Sequence, residues 1–297
     1  MNILQLISKF SSQEVCIKHL EQVRWGDKVK CVYCGSKNNY PNEKELRHHC
    51  NDCRKSFSVT VGTIFHHTHI ELQKWFLVMS LMMNAKKGLS AYQIARDLGM
   101  RRATVWSMTH RIRKAMATNQ ANLLQGIVEM DECYVGGKPR KEVKNDKDDN
   151  DKGSPRGRAT NKEAVVGIVE RNGEVRAENV DKDKLNFSGL LELVRKNVNT
   201  DKSILITDEY RAYSKMMNFI KHETINHSYE YSRKGSDYNI HSNTIESFWA
   251  LLKRGIIGQF HKVSKKYLNC YINEFCFRYN QRENESIFET LLINSVR

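Results

Sequence analysis

No stretch of this 297-residue chain is apolar for long enough to cross a bilayer as a helix, which excludes a helical membrane protein. The opening MNILQLISKFSSQEV has a charge inside its apolar stretch and lacks a small-residue cleavage site. It reads as an amphipathic helix rather than a signal peptide, so the expected location is the cytoplasm, with no membrane partner. No internal repeat occurs, which excludes a solenoid or propeller. Acidic residues are in short supply: 34 Asp and Glu face 48 Lys and Arg, for a formal charge of +14. A surface of that sign concentrates polyanions, so nucleic acid is the expected partner, bound more weakly as salt rises. Hydrophobic residues at 40% and charged residues at 28% exclude wholesale disorder.

Of the eight cysteines, four form the pairs Cys31/Cys34 and Cys50/Cys53, while Cys16, Cys133, Cys270 and Cys276 are scattered. In a cytosolic chain such pairs point to metal rather than disulfides. Two residues inside each pair and fifteen between the pairs suit a four-thiolate Zn²⁺ site with no position left for substrate. The zinc is expected to be structural, because a segment of about 30 residues needs a staple in place of a core. His48 and His49 adjoin Cys50, but four cysteines already complete the set. A ribbon of this kind does not by itself name its partner.

Apolar spacing at Ile3, Leu6, Ile7 and Phe10 predicts a helix over 3–24, and three helices are expected over 71–117. Residues 126–136 read as a strand, and 138–162 as a polar insert whose Arg156–Arg158 end could touch phosphate. Asn172-Gly173 between two apolar runs predicts a hairpin. Leu185, Leu190, Leu191 and Val194 mark a helix over 184–198, SILITDEY a buried strand, and two helices follow near 244–254 and 265–281. The expected organisation is multidomain α+β. It comprises an N-terminal helix (1–25), a zinc ribbon (26–68), a helix-turn-helix region (69–120) and a mixed α/β domain (121–297).

Ser90 and Gln93 form a capping box, Ile94, Ala95 and Leu98 an apolar face, and Gly99 a stop. A second helix over 101–116 turns Val105, Met108 and Ile112 inward and is expected to turn Arg101, Arg102, Thr104, His110, Arg111, Arg113 and Lys114 outward, with Trp106 in the core. The pair resembles a helix-turn-helix, which would set Arg101, Arg102 and Thr104 against base edges in the major groove of double-stranded DNA, with Arg111, Arg113 and Lys114 as further expected DNA contacts.

Three carboxylates stand at the ends of ordered elements: Asp131 in VEMDECYVGG, Asp208 in ILITDEYRAY and Glu246 in HSNTIESFWALLKRG. Strand alternation puts Glu129 on the face of Asp131 and disfavours Glu132. Each acid also has a structural reading: Asp208 as a helix cap, and Glu246 closing a capping box with Asn243. On the last helix Phe248, Leu251 and Leu252 mark the buried side, while Glu246, Ala250 and Lys253 share the other at i, i+4, i+7 spacing.

These segments resemble the DDE transposases of bacterial insertion sequences, in the branch with an N-terminal zinc ribbon, a helix-turn-helix and a lysine after the third acid. The motifs are Asp131-Glu-Cys-Tyr-Val-Gly-Gly-Lys138, Thr207-Asp208-Glu-Tyr-Arg-Ala-Tyr213, Asn243-Thr-Ile-Glu246 through Phe248-Trp249 to Leu252-Lys253-Arg254-Gly255, and Phe277-Arg278-Tyr279-Asn280-Gln281-Arg282. The resemblance implies an RNase-H-like catalytic domain with Asp131 bridging two Mg²⁺ or Mn²⁺ ions and Asp208 and Glu246 each holding one. Asn243 is the alternative third ligand. Lys253 and Arg254 would contact DNA, Lys253 at the phosphate beside the scissile bond. Water would attack the phosphodiester at the element's terminal inverted repeat, and the freed 3′-hydroxyl would attack target DNA. Joining two ends needs two active sites, hence at least a homodimer on DNA. Cys133 replaces a residue that is commonly a small hydroxyl in the family, and His227 and His241 are expected beside the site rather than as ligands. A DNA-binding regulator without cleavage, or another RNase-H-like nuclease without strand joining, are the competing readings.

Overall fold

The computed structural model describes residues 1–117, 122–136, 162–226, 229–235 and 237–297. Lys138, His227 and all of the expected insert except Lys162 therefore lie outside the described residues. Two compact units emerge, one of Met1–Thr118 with Gln281–Arg297, the other of Asn119–Asn280.

In the first unit the helix expected over 3–24 is two helices, α1 (Ile3–Lys9) and α2 (Gln13–Trp25). Ser12 breaks the run, because its Oγ accepts the Val15 N–H at 3.3 Å and starts a new helix. Leu6 and Phe10 are buried, whereas Ile3 and Ile7 are exposed. The ribbon strands β1 (Asn39–Asn42), β2 (Arg47–Cys50) and β3 (Ser56–Phe57) pair antiparallel around a small core of Cys31, Cys50 and Phe57. Next come α3 (Leu72–Asn84), α4 (Ala91–Asp97) and α5 (Arg102–Ala115).

The second unit is a five-stranded sheet. Its strands are β4 (Leu124–Val135), β5 (Glu163–Glu170), β6 (Val175–Val180), then, after α6 (Phe187–Asn197), β7 (Val198–Asp208) and β8 (Lys221–Ile225). A short ribbon, β9 (Arg233–Lys234) and β10 (Asn239–Ile240), leads to α7 (Asn243–Gly255) and α8 (Lys265–Asn280). The order is β6-β5-β4-β7-β8, antiparallel from β6 to β4 and parallel from β4 to β8. This is the RNase-H-like arrangement. Asn172 takes a left-handed φ of 59° in the β5–β6 turn, as Asn-Gly predicts. Val128 and Met130 pack on α6, while Cys133 and Val135 pack on α7 and α8, so alternate residues of β4 serve two cores.

The last helix, α9 (Ile287–Val296), returns to the first unit. Phe288 meets Phe76 edge-on at 5.8 Å, and Glu289 pairs with Lys9 Nζ and His19 Nε2, each at 2.9 Å. The domain expected over 121–297 thus ends at Asn280, because the apolar face of α9 finds its partners among α2, α3 and α5.

Candidate active site

Asp131 lies on the face of β4 that meets α7, directly across from Gly167 of β5. Trp249 of α7 lays its indole over that glycine and donates Nε1–H to Asp131 Oδ2 at 3.0 Å. Any Cβ on Gly167 would stand 2.5 Å from Trp249 Cη2, so the glycine is what lets the ring approach. On the other side β4 pairs in parallel with β7, Glu129 level with Ile206. Two residues further along, Asp131 and Asp208 come level at the end of β7. Asp208 Oδ1 accepts the Tyr210 N–H at 3.1 Å, which turns the chain away from the strand.

Carboxylate oxygens of Asp131, Glu132 and Asp208 all lie within 4.8 Å of one another. Alternation disfavoured Glu132, yet it joins this group. β4 runs past the end of β7, so side chains on either face of β4 can reach the space beyond Asp208. Tyr213, fully buried, donates its hydroxyl to Glu132 Oε1 at 2.9 Å. Glu246 is outside this tight group. Its Oε1 accepts from Ser242 Oγ at 3.3 Å, and its charge is felt at Asp131. Burial, and then the charges of Asp208 and Glu246, push the Asp131 carboxyl up to about 6. A group of carboxylates this close together, built of hard oxygen donors, fits a divalent cation.

Along α7, Ile245, Phe248, Trp249 and Leu252 are buried, while Glu246 and Lys253 are exposed. Leu251, expected inside, is only half-buried. Lys253 comes beside the Cys133 thiol, which burial pushes up to about 11 against the pull of that ammonium. Arg254 is exposed, and Asn243 lies in the first turn, its N–H 3.3 Å from His241 Nδ1. Strand alternation leaves Glu129 as a rival of Asp131 on the same face of β4. The structure buries it completely against the start of α7, where Thr244 and Ile245 donate their backbone N–H groups to it.

In the ribbon, Cys31 and Cys53 Sγ atoms are 3.6 Å apart, as are those of Cys34 and Cys50, and all four lie within 4.8 Å. Four sulfurs at about 2.3 Å from one Zn²⁺ stand about 3.8 Å from each other, so the site fits zinc. His48 Nε2 is engaged by Glu21 at 2.7 Å, which leaves the four cysteines as the donor set.

The basic helix differs from its expected pattern. Ser90 caps α4 through the Gln93 N–H, but the Gln93 side chain turns to Asp97 and Arg96 rather than closing the box. Gly99 takes a φ of +61° and ends α4. Arg101, Arg102 and Lys114 of α5 and its N-cap are exposed, and Thr104 is half-buried. His110 and Arg113 are buried, not outward. Arg111 is half-buried, its guanidinium donating to the carbonyls of Ile64 and His66 at 3.2 and 2.8 Å. The reason is that α5 has three helical neighbours, α3, α4 and α9, rather than α4 alone. Trp106, expected in the core, is 41% exposed, its ring tilted against His110 at 4.1 Å.

The family described as ISXO2-like transposase domain matches residues 123–280. The chain belongs to that transposase family. A transposase zinc-ribbon domain matches residues 11–56, which includes all four cysteines. Among curated proteins, the chain is similar to an uncharacterized protein in transposable element ISH50 of Halobacterium salinarum, 28% identical over 283 residues, 92% of each chain. Among solved structures, a Mos1 transposase paired-end complex with left transposon end shares 12% identity over 74% of this chain and 78% of that one, with a TM-score of 0.29. A pre-cleavage Mos1 transpososome shares 13% over 99% and 96%, with a TM-score of 0.28. The matched residues 123–280 include Asp131, Glu132 and Asp208, whose carboxylate oxygens come together, and Glu246 of α7.

Proposed function

We propose that the chain is a DNA transposase that cuts phosphodiester bonds at the ends of its element and joins the freed 3′-hydroxyls to target DNA. The observation that carries this reading is the convergence of Asp131 and Asp208 in one carboxylate group, with Glu246 near enough to raise Asp131. Asp131, Asp208 and Glu246 hold Mg²⁺ or Mn²⁺. When bound, the cations neutralise charge at the reacting phosphate and make a nucleophilic oxygen available at neutral pH. Trp249 fixes one oxygen of Asp131 and leaves the other for a ligand bond. Lys253, one helix face along from Glu246, reaches the phosphate beside the scissile bond, with Arg254 next to it on the backbone.

The first unit recognises the terminal inverted repeats of double-stranded DNA. Arg101, Arg102 and Thr104 enter the major groove as the start of a recognition helix, and Lys114 holds the phosphate backbone. Arg111 and Arg113 support the helix from within. Zn²⁺ on Cys31, Cys34, Cys50 and Cys53 fixes the ribbon. Two copies at least act together, one for each end.

The test is cleavage of labelled DNA carrying the element's own ends, with Mg²⁺ or Mn²⁺. Wild type should nick at the end, and Asp208→Ala should bind but not cut. Binding by both without cleavage by either would remove the catalytic assignments.

A further inference from the structure

The amide groups at the start of a helix have no partner within the helix. In α7 they are satisfied from elsewhere. Ser242, which precedes the helix, makes no side-chain cap and turns its hydroxyl to Glu246. The cap comes from β4: Glu129 Oε2 accepts the N–H of Thr244 at 2.9 Å and of Ile245 at 3.0 Å, and Oε1 accepts the Thr244 hydroxyl at 2.9 Å. Arg171 adds Nε–H to Oε1 at 2.7 Å and ties the chain before the helix through the carbonyls of Asn239 and His241. His241 Nδ1 stands 3.3 Å from the same oxygen. Five contacts from four residues meet one fully buried carboxylate, two residues from Asp131 on the same strand.

We propose that Glu129 is a positioning residue, a cap supplied from the sheet that fixes the first turn of α7 and thereby holds Glu246 over the Asp131–Asp208 pair. A negative group at a helix N-terminus is favoured by the helix dipole, and here it is also bonded to the backbone of the residues just before Glu246. Asp131 and Asp208 belong to the sheet and need no such device. Glu246 is the one acid of the three carried by a separate layer, so its distance from the other two depends on where α7 begins. The inference rests on the reading of these acids as the cation site.

The experiment measures Mn²⁺ binding to the full chain by electron paramagnetic resonance, with circular dichroism as a check of folding. Glu129→Gln should weaken Mn²⁺ binding about tenfold, since an amide offers one acceptor and brings two donors against N–H groups. In a Glu246→Ala background the same change should have no further effect, a result that general loss of stability would not give. If Glu129→Gln does not fold, Thr244→Val removes only the hydroxyl donor and should weaken binding about threefold. Wild-type affinity in Glu129→Gln, with binding lost in Asp208→Ala, overturns the positioning role and leaves the cation site standing. Wild-type affinity in Asp208→Ala overturns the cation site, and the inference with it.

Discussion

Gly167 contributes a single hydrogen, and the indole of Trp249 occupies the space above it. Trp249 is 3% exposed and packs against Phe248 at 5.3 Å, so it has nowhere to retreat. Gly167→Ala is expected to cost about 1–3 kcal/mol by overpacking. It should also weaken cation binding, because the displaced indole no longer fixes Asp131. Urea denaturation and Mn²⁺ titration of the same variant would check both effects; unchanged stability would mean that Trp249 has slack that its burial conceals. Asp131 itself sets a pH dependence. Its carboxyl is raised to about 6 by burial and by Asp208 and Glu246, so below that pH a cation must displace a proton. Affinity should climb by up to tenfold per pH unit as pH rises towards 6 and level off above it. Calorimetric titration between pH 5 and 7.5 would reveal this, and a flat profile would remove Asp131 as a ligand.

Elements whose chemistry is local were legible in the sequence. Asn172-Gly173 marked the β5–β6 turn, the leucines of α6 its buried face, and the paired cysteines the ribbon, because each signal acts over a few residues. Signals that depend on a second layer were not. Arg113 and His110 look like solvent-facing residues on a basic helix, but α5 is covered on more than one side. Glu132 points away from Asp131 by alternation, yet the end of β7 opens a common space. Glu129 needed the start of α7 to be placed before its role could be seen. The ribbon shows the local kind in pure form: its core is Cys31, Cys50 and Phe57 with a few half-buried neighbours. So little apolar burial cannot hold three short strands without a metal. Cys50→Ser, or a strong chelator, should unfold β1–β3 while the five-stranded sheet stays intact. Hydrogen exchange resolved by segment would test this; full protection over residues 39–57 without zinc would show that the ribbon needs no staple.

At the scale of the whole chain, the polypeptide leaves the first unit after Thr118 and comes back to it at Gln281. The family match stops at residue 280, where the second unit also stops. The sequence groups the returning segment with residues 121–280, since nothing in it states which core its apolar face will join. In the structure Phe288 sits in an aromatic cluster with Phe10 and Phe76, and Glu289 is clasped by His19 and Lys9. Truncation after Asn280 should therefore lower the melting temperature of the first unit and abolish end binding, while Mn²⁺ binding at the acids of the second unit persists. The clasp adds a pH signature. Hydrogen bonding to His19, with help from Lys9, holds the Glu289 carboxyl down to about 2, below its ordinary 4.5. A carboxylate depressed in the folded state contributes stability that is present above about 4.5 and is lost as pH falls from there towards 2. Glu289→Gln removes that contribution, so the gap between variant and wild type should be full at neutral pH and close as the solution is acidified below 4.5. Melting curves of both proteins from pH 7 to pH 3 would decide it, and a gap that stays constant over that range would mean that the clasp adds nothing beyond the packing of Phe288.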